Sequence, residues 1–396
     1  MFEHVLSLIQ SGKNIFLTGP GGCGKSWTIE QLTKIYENIS ITSTTGVSSY
    51  LIGGQTIHSF SGIGVFNPKQ DLLKKIKKNR AVKRITECKL LVIDEISMLG
   101  ATYLLALDKA FKLVRKNQKP FGGIQVIFTG DFFQLPPIQD GYAFECDVWN
   151  ELDLQTVLLE KVYRFTDEVY STMLARIRKG EHLPEDNVEL FKRVKAFQEL
   201  DLDEFEIKPT FLSCKRIDVD EKNKEELDKN PNELVIYLSR DEGEITFLDL
   251  IAPKKIELKV GSQVMLTVNK NVEEGLVNGS RGVITSLESD IIYVKFMSGN
   301  TICFERHEFM FEEDGKVTGR RFQFPFILSY CLTIHKTQGS TIDCAVMDIG
   351  NSIFENSMSY VALSRVKSLS GLYLKAFSPY KIRVDPKVVE FYKNLN

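Results

Sequence analysis

GPGGCGKS at residues 19–26 and LLVIDEISML at residues 90–99 are the two stretches of this 396-residue sequence that decide its fold. The first fits the phosphate-loop pattern G-x-x-x-x-G-K-[ST], and it follows the apolar run IFL at residues 15–17, which suits a buried strand. Its glycines let successive backbone N–H groups turn towards an anion, which Lys25 and the start of the following helix also attract. The sequence therefore predicts a strand, a phosphate-binding loop and a helix in succession.

The second stretch leads into two acidic residues. Asp94 and Glu95 come directly after the apolar residues 90–93, which predict another buried strand. In this setting we expect Asp94 to hold Mg²⁺ through water, Ser26 to supply a hydroxyl to the metal, and Glu95 to polarise the attacking water. The alternative, two surface acids that close a strand, leaves the apolar run before them unexplained. Together the two stretches predict that the chain binds and hydrolyses a nucleoside triphosphate.

Composition sets broad limits. A chain with 43% hydrophobic and 26% charged residues is ordinary for a soluble globular protein, and no apolar run approaches the roughly 18 residues that cross a bilayer, so no membrane contact is expected. The N-terminal residues carry no basic leader, and the seven cysteines show no CxxC spacing. Both observations favour a reducing, intracellular compartment and argue against structural zinc. Because the formal net charge is −2, any binding of nucleic acid must come from a local groove.

The patterns along the chain predict its domains. Residues 1–157 alternate short apolar strands with helical stretches, which favours a parallel sheet covered by helices. A small basic insertion lies around residues 61–86 and contains the run KQDLLKKIKKNRAVKR at residues 69–84.

Residues 233–319 change character. Short alternating strands such as LVIYLSR, EITFLDL, SQVMLTV and DIIYVKF are separated by turn signals, which is typical of a small β-barrel. Because the α/β pattern resumes afterwards, residues 158–232 and 320–396 are predicted to form a second α/β domain into which the β domain is inserted.

Three later features are weak when taken singly. Gln134 follows the strand that ends in GDFFQLPPI, and a glutamine there can report the γ-phosphate. By itself, however, the Pro136-Pro137 pair more readily indicates a stiff turn. Arg164 and Arg365 are single arginines, which are usually solvated surface groups.

Seven stretches taken in order carry more weight. They are GPGGCGKS, TSTTGVSSYLIGGQTIHSFSGIG, LLVIDEISML, PFGGIQVIFTGDFFQLPPI, the YR pair at 163–164, LTIHKTQGSTID and YVALSRVKS. In this order the chain resembles superfamily 1 DNA helicases, and among them the PIF family (named for petite integration frequency), relatives of RecD and of the phage helicase Dda. The resemblance runs over nearly the whole chain. It implies an α/β fold with two RecA-like P-loop core domains built on parallel sheets, and a small inserted SH3-like β-barrel domain.

The resemblance also implies a site for ATP and Mg²⁺. Ser26 and Asp94 are expected to hold the metal, Glu95 to activate water and Gln134 to sense the γ-phosphate. Arg164 and Arg365, from the second core domain, are expected to reach across the cleft as arginine fingers, an effect worth about 10³–10⁵ in rate elsewhere. The expected catalytic residues are Lys25, Glu95, Gln134, Arg164 and Arg365. The expected nucleotide contacts are Gly19, Pro20, Gly21, Gly22, Cys23, Gly24, Lys25, Ser26, Trp27 and Gly339.

Single-stranded DNA is expected to lie across the tops of both core domains. The positions that match the family are Thr45, Gly46, His58, Ser59, Phe60, Thr333, His335, Lys336 and Gln338. Hydroxyls, backbone amides and a cation at strand ends suit phosphate contacts, which fix position without reading sequence. Phe60 either stacks on a base or packs in the core, and the two interpretations are about equally supported. The basic run at residues 69–84 either guides DNA or is only solvated.

These features imply an ATP-dependent DNA helicase that moves 5′-to-3′ on single strands, opens forked duplexes and acts as a monomer on DNA. G-quadruplex DNA is a further implied substrate, and DNA repair, recombination and telomere maintenance are the implied processes. The implied location is a bacterial or viral-host cytoplasm, or the nucleus or mitochondrion of a eukaryote. An RNA-directed motor and a nucleotide-gated binding module that hydrolyses little stay open as alternatives.

The chain also departs from the family pattern. The family carries a glutamine ahead of the phosphate loop that contacts adenine, and Gln10 stands at the wrong place for it, so selectivity for adenine is open. Phe165 stands where glutamine is frequent, and Cys23 where threonine is common. Alkylation of Cys23 is therefore expected to lower ATPase activity.

Overall fold

The computed structural model describes residues 1–64, 76, 81–271, 274, 276–313 and 316–395. The predicted basic run at residues 69–84 therefore lies largely outside the described residues. Contacts divide the chain into two compact units. Unit 1 comprises Met1–Arg164 and Val384–Asn396, and unit 2 comprises Phe165–Arg383.

A parallel sheet of six strands forms the centre of unit 1. Its strands are β1 (Ile15–Thr18), β2 (Ile39–Ser43), β3 (Gln55–Thr56), β4 (Leu90–Asp94), β5 (Gln125–Gly130) and β6 (Gln155–Leu158). Their order in the sheet is β3-β2-β4-β5-β1-β6, and all neighbouring pairs are parallel. The parallel sheet predicted for this part of the chain is confirmed.

Both faces of this sheet are buried. Successive side chains of a strand point to opposite faces. In β1, Phe16 joins one apolar cluster while Ile15 and Leu17 join another, and in β4 Leu91 and Val92 divide in the same way. These strands therefore read as unbroken apolar runs in the sequence.

Helices contribute further apolar side chains to both clusters. They are α1 (Phe2–Gln10), α2 (Lys25–Ile35), α3 (Gly46–Leu51), α4 (Ile57–Ser61), α5 (Ala81–Glu87), α6 (Ala101–Arg115) and α7 (Asp147–Glu151). Most buried apolar side chains of α1 and α2 belong to the cluster of Leu17, and most of those of α5 and α6 to the cluster of Phe16. Within the described residues, no helix is long and apolar enough to span a bilayer.

Unit 2 combines a parallel sheet with antiparallel sheets. Its strands are β7 (Thr210–Ser213), β8 (Val235–Leu238), β9 (Arg240–Gly243), β10 (Lys255–Leu258), β11 (Gln263–Leu266), β12 (Arg281–Leu287), β13 (Ile292–Phe296), β14 (Thr301–Phe304), β15 (His307–Glu313), β16 (Lys316–Gln323), β17 (Phe326–Leu328), β18 (Cys331–Thr333), β19 (Ala345–Ile349) and β20 (Leu372–Phe377). Its helices are α8 (Glu168–Lys179), α9 (Pro184–Gln198), α10 (Arg216–Lys229) and α11 (Met358–Leu363). The parallel sheet has the order β18-β7-β19-β20.

The antiparallel strands lie between Val235 and Leu328, so they extend past residue 319, where the β domain was predicted to end, because β17 pairs with β11. They form sheets of the orders β14-β13-β12-β11-β17, β15-β16-β9 and β10-β8. The stretch EITFLDL, predicted as a strand, instead holds a turn and the short 3₁₀ helix Leu248–Leu250, while the polar residues just before it form β9. Closure of these sheets into an SH3-like barrel stays a prediction.

The chain ends in helix α12 (Pro386–Lys393), which packs in unit 1. Val388 lies in the cluster of Phe16, and the ring of Phe391 stacks on Phe144 with centroids 4.2 Å apart. We expected residues 384–396 in the second α/β domain, but these apolar contacts group them with unit 1. Sequence order alone does not reveal such a return.

Candidate functional site

The phosphate loop joins the end of β1 to the start of α2. Gly19, Gly22 and Gly24 have φ angles of 150°, 82° and 94°, which L side chains rarely adopt. A Cβ at Gly19 would lie 2.3 Å from the carbonyl oxygen of Leu159, and one at Gly22 would lie 2.4 Å from the Cβ of Arg164. Backbone conformation and close neighbours therefore both require glycine at these two positions.

Lys25 begins α2, and its ammonium group lies against the loop. Its Nζ donates to the carbonyl oxygens of Gly19 at 2.6 Å and Pro20 at 3.0 Å, and it lies 3.6 Å from the Sγ of Cys23. The ammonium group, the helix N-terminus and the turned loop together provide an attractive site for a polyphosphate. Because Cys23 is only 4% exposed, alkylation of its thiol requires the loop to open.

Ser26 and Trp27 present exposed side chains on the first turn of α2. The indole ring of Trp27 meets the ring of Phe2 edge-to-face, with centroids 5.6 Å apart. The Ser26 hydroxyl is accessible to a metal ion, and the aromatic pair offers an apolar surface to a base. Contact of Trp27 with a nucleotide stays a prediction.

Asp94 is buried where β4 ends. The hydroxyl of Thr129, on the adjacent strand β5, donates to its carboxylate. Burial raises the pKa of Asp94 above its ordinary value, and the Thr129 hydrogen bond, the N–H of Glu95 and the charge of Lys25 oppose this effect only in part. The raised pKa shows that the fold holds this carboxylate where its charge is disfavoured.

Glu95 leaves the strand at a sharp turn. Its backbone adopts φ 53° and ψ 45°, a left-handed conformation that is uncommon outside glycine. The hydroxyl of Thr44 donates to its carbonyl oxygen at 3.1 Å. A Cβ at Gly130 would come within 2.9 Å of the nitrogen of Ile96, so the end of β5 passes close to this turn. The Glu95 side chain is half-buried beside the buried Asp94.

Gln134 sits in a tight turn beyond β5. Its N–H donates to the carbonyl oxygen of Asp131 at 2.8 Å, and the N–H of Phe133 donates to the carboxylate of Asp131 at 3.2 Å. Gln134 is 5% exposed and has partners within the fold. The stiff turn is therefore present, and the sensing role of Gln134 stays a prediction.

Arg164 lies in unit 1, against the phosphate loop. The N–H of Tyr163 donates to the carbonyl oxygen of Gly22 at 2.9 Å, and the N–H of Leu159 donates to that of Thr18 at 2.8 Å. These bonds hold residues 159–164 along one side of the phosphate loop. The expectation that Arg164 comes from the second core domain is wrong, because its segment is tied to the first.

Arg365 is held inside unit 2. Its guanidinium donates to the carbonyl oxygens of Val361 at 2.8 Å and Thr337 at 3.0 Å, and to the hydroxyl of Ser364 at 2.6 Å. Only 1% of the residue is exposed. The bond to Thr337 fixes it beside the stretch LTIHKTQGSTID, and its role as an arginine finger stays a prediction.

That stretch forms a turn after β18. The N–H of Lys336 donates to the hydroxyl of Thr333 at 3.1 Å, and His335 and Lys336 present exposed side chains. Gln338 is 7% exposed, whereas a Cβ at Gly339 would meet no atom within 4 Å. His335 and Lys336 are therefore the most accessible of the predicted DNA contacts in unit 2.

The predicted DNA contacts of unit 1 begin two helices. The Thr45 hydroxyl accepts the N–H of Ser48 at 3.2 Å and so caps α3, whose first residue is Gly46. The ring of His58 lies 4.5 Å from that of Tyr103, and burial lowers the pKa of His58 below its usual value. This imidazole is therefore neutral at pH 7, and the predicted contact of His58 with a phosphate would depend on hydrogen bonding and not on charge.

Phe60 is a core residue. It is 2% exposed, and its ring meets that of Phe111 at 6.2 Å, while the carbonyl oxygen of its neighbour Ser59 accepts a hydrogen bond from Arg84 at 2.9 Å. The structure therefore supports the core interpretation of Phe60, and stacking of its ring on a base stays a prediction. The ring would have to leave the cluster of Phe16 to reach a base.

The residues present fit Mg²⁺ and a nucleoside triphosphate. Gly19, Gly22 and Gly24 keep a cradle open that a Cβ would fill or strain, and Lys25 adds a positive charge. The hydroxyl of Ser26 and the carboxylate of Asp94 are the oxygen ligands that Mg²⁺ prefers, and magnesium in such sites takes few protein ligands beside phosphates.

Comparisons with known proteins agree with this geometry. Residues 1–185 match the PIF1-like helicase family, and residues 248–287 match the 2B domain of the DNA helicase Pif1. The ATP-dependent DNA helicase Pif1 of Bdellovibrio bacteriovorus is 34% identical, with 98% of this chain and 90% of that protein covered. This chain belongs to the PIF1-like helicase family. The ATP-dependent DNA helicase PIF1 of Emericella nidulans is 35% identical over 99% of this chain, which spans 62% of that longer protein.

Solved PIF1-like structures share the fold. The crystal structure of a Bacteroides Pif1 in complex with ADP-AlF4 has a TM-score of 0.86 at 27% identity and covers 99% of this chain and 96% of that one. A Bacteroides Pif1 with ADP-AlF3 and single-stranded DNA has a TM-score of 0.70 at 27% identity, again with 99% and 96% covered. A structure of two coordinating Pif1 helicases at forked double-stranded DNA has a TM-score of 0.70 at 28% identity, with the same coverage.

Sequence reasoning missed four residues of this PIF1-like site: Thr18, Thr129, Asp131 and Tyr392. Thr129 and Asp131 flank Gly130 at the end of an apolar strand, which is the same signal that identified Asp94. Tyr392 has no such signal, since it bonds to Asp131 from 261 positions away in the sequence.

Proposed function

We propose that this chain is an ATP-dependent DNA helicase that moves 5′-to-3′ along single-stranded DNA and separates forked duplexes. The observation that carries the proposal is the site at the strand ends of unit 1, where the phosphate loop and Lys25 lie near the buried Asp94 and the adjacent Glu95. Relatives named ATP-dependent DNA helicases are similar over nearly the whole chain. Because the chain spans only part of the Emericella protein, the proposal concerns these 396 residues.

The residues divide the work of ATP hydrolysis. The loop N–H groups and Lys25 bind and orient the phosphates, and Glu95 accepts a proton from the attacking water. Mg²⁺, when bound through Ser26 and Asp94, supplies positive charge that offsets charge developing on the phosphates. The role of Arg365 as an arginine finger belongs to the same proposal.

The accessible DNA candidates are polar groups. Lys336, His335 and the backbone around Gly46 suit sugar and phosphate contacts, which carry no sequence information. We therefore propose binding to single strands without sequence preference. Action as a monomer, use of G-quadruplex DNA, an intracellular location and roles in repair, recombination and telomere maintenance belong to the same proposal and rest on membership of the family.

Strand separation on forked DNA tests activity, fuel and direction together. Forks with only a 5′ tail or only a 3′ tail are compared, with and without ATP. We expect separation only with the 5′ tail and only with ATP, and loss of both separation and hydrolysis in Glu95→Gln. Separation from the 3′ tail alone would contradict the direction, and full turnover in Glu95→Gln would contradict the catalytic assignment.

Stimulation of hydrolysis distinguishes DNA from RNA. DNA and RNA homopolymers of equal length are added to the same preparation, and ATPase rates are compared. Stronger stimulation by RNA would favour the RNA-directed motor. No stimulation by either would favour the nucleotide-gated binding module.

A further inference from the structure

The phenol hydroxyl of Tyr392 lies between two strand ends of the nucleotide site. Its oxygen is 2.7 Å from the hydroxyl oxygen of Thr18, 3.1 Å from the amide nitrogen of Phe132 and 3.3 Å from a carboxylate oxygen of Asp131. Thr18 directly precedes the phosphate loop, and Asp131 begins the turn that holds Gln134.

These contacts assign the hydrogen bonds of the hydroxyl. A phenol oxygen has one proton to donate and can accept from others. The amide of Phe132 can only donate and the carboxylate of Asp131 accepts, so Tyr392 donates to Asp131. The remaining bond then runs from the Thr18 hydroxyl to Tyr392. One side chain of α12 thus joins β1 to the end of β5 through a connected network.

Packing fixes the position of this hydroxyl. The ring of Tyr392 stacks on Phe133, with centroids 4.6 Å apart and planes 14° apart. Beside it, Phe391 stacks on Phe144 at the same interplanar angle of 14°, and Val388 is 1% exposed. The ring of Phe391 in turn meets the ring of Tyr392 edge-to-face, with centroids 5.4 Å apart. A side chain packed in this way can set the spacing of the groups it joins.

We propose that Tyr392 is a positioning residue of the nucleotide site, which fixes the phosphate loop relative to the turn of Gln134. The inference rests on the proposed ATPase function and deepens it. Thr18 and Gly130 are direct neighbours in the parallel pair β1–β5, so the network spans the point where the two loops diverge. Loss of the hydroxyl therefore loosens the spacing on which recognition of a γ-phosphate depends.

The substitution Tyr392→Phe removes the hydroxyl and keeps the stacked ring. Tyr380→Phe is a matched control, because Tyr380 is 88% exposed in unit 2. The measurements are kcat and KM for DNA-stimulated ATPase, the Kd of ADP and of a non-hydrolysable ATP analogue, and Tm. For Tyr392→Phe we expect kcat and the preference for the ATP analogue over ADP each to fall about 3- to 10-fold, the effect of one hydrogen bond. Tm is expected to fall by no more than a few degrees, the amount that one hydrogen bond accounts for, and the control is expected to keep the parent values.

A second variant tests the network itself. Thr18→Val removes the other hydroxyl and is expected to give the same signature as Tyr392→Phe, with a double variant no worse than either single one, since they break the same network. Unchanged kcat and unchanged nucleotide preference in Tyr392→Phe would overturn the proposal. So would a loss of Tm with equal weakening of both nucleotides, which a purely structural role predicts.

The binding measurements separate this inference from the proposed function. A parent chain that hydrolyses no ATP in the presence of DNA contradicts the proposed function. The ratio of the two nucleotide affinities still tests Tyr392 in that case, because it needs no turnover.

Discussion

Asp94 shows how function opposes stability at a single residue. Its carboxylate is buried at the end of β4, and its pKa is raised mainly because burial disfavours the charge. Asp108 is equally buried in the same unit, but its carboxylate has partners for its charge. It pairs with Lys112 at 2.7 Å and accepts the N–H of Phe121 at 2.8 Å. The charge of Asp94 therefore costs stability, in keeping with its proposed role as a metal ligand, whereas the charge of Asp108 has partners that stabilise the fold.

Asp94→Asn is therefore expected to stabilise unit 1 while abolishing ATPase activity. An amide avoids the buried charge and still accepts from Thr129, and one kcal/mol of relief raises Tm by roughly 2–4 °C in a unit of this size. Asp108→Asn is the control, and it should lower Tm because it removes the shorter of the two ion pairs of Lys112 and leaves only the one to Glu151 at 3.5 Å. Thermal unfolding and ATPase rates measure both effects. A lower Tm in Asp94→Asn would contradict the account of its burial.

Charge distinguishes two predicted DNA contacts. Burial lowers the pKa of both groups, but from ordinary values of 10.5 for the Lys336 amine, whose side chain is exposed, and 6.5 for the His58 imidazole, so His58 is neutral at pH 7. Lys336→Gln is expected to reduce the salt dependence of single-strand binding by about 0.7 in log–log slope, the value for one phosphate contact. His58→Gln should leave that slope unchanged at pH 7.5. Binding titrations over a range of salt concentrations measure the slopes, and equal slopes for Lys336→Gln and parent would remove Lys336 from the interface.

Single residues were predictable where their neighbours in sequence carry the signal. Lys25, Asp94 and Glu95 each stand at the end of an apolar run or in a glycine-rich loop, and the structure places them beyond the ends of β1 and β4, the two strands that flank β5. The side chain of Phe60 was ambiguous, because an aromatic residue among apolar neighbours serves a core as readily as a base. Tyr392 was unpredictable, because its partners are remote in sequence.

At the scale of elements, the phosphate loop requires glycine at Gly22, where a side chain would not fit. Gly22 combines a φ of 82° with a position where a Cβ would lie 2.4 Å from the Cβ of Arg164. Gly12 has a similar φ of 73°, but a Cβ there would meet nothing within 4 Å. A substitution at Gly12 therefore introduces backbone strain alone, whereas one at Gly22 adds a steric clash with Arg164.

Gly22→Ala is expected to weaken nucleotide binding by at least tenfold, because the loop must shift away from residues 159–164. Gly12→Ala carries only the strain of a left-handed residue, about 1–2 kcal/mol, and should leave nucleotide affinity unchanged. Calorimetric titration with ADP and thermal unfolding measure both effects. Normal nucleotide affinity in Gly22→Ala would show that residues 159–164, which follow β6, can move to make room for the added methyl group.

Elements differ in how far sequence reveals them. Strands β1 and β4 are apolar on both faces and were evident from the sequence alone. Strand β9 has the sequence RDEG with every residue exposed, and it exists because it pairs with β16. The residues of β9 have no local preference for a strand, so its pairing with β16 forms the strand, and the sequence pattern does not predict it.

At the scale of the whole molecule, the chain leaves unit 1 after Arg164 and returns to it at Val384. The return is held by aromatic packing. Phe391 meets Phe132 at 5.3 Å, Trp149 at 5.8 Å and Phe16 at 6.0 Å. Unit 1 therefore completes its core only with the last helix of the described chain.

Phe391→Ala is accordingly expected to destabilise unit 1 by about 3 kcal/mol, the lower end for a buried phenylalanine, since its ring is only partly buried. Because Phe391 has its contacts in unit 1, scanning calorimetry should show the melting of unit 1 lowered by several degrees and that of unit 2 unchanged. Phe354→Ala serves as the control, because Phe354 is 58% exposed in unit 2 and its loss should move neither transition. A single transition that shifts as a whole would mean that the two units unfold together, and that α12 stabilises both.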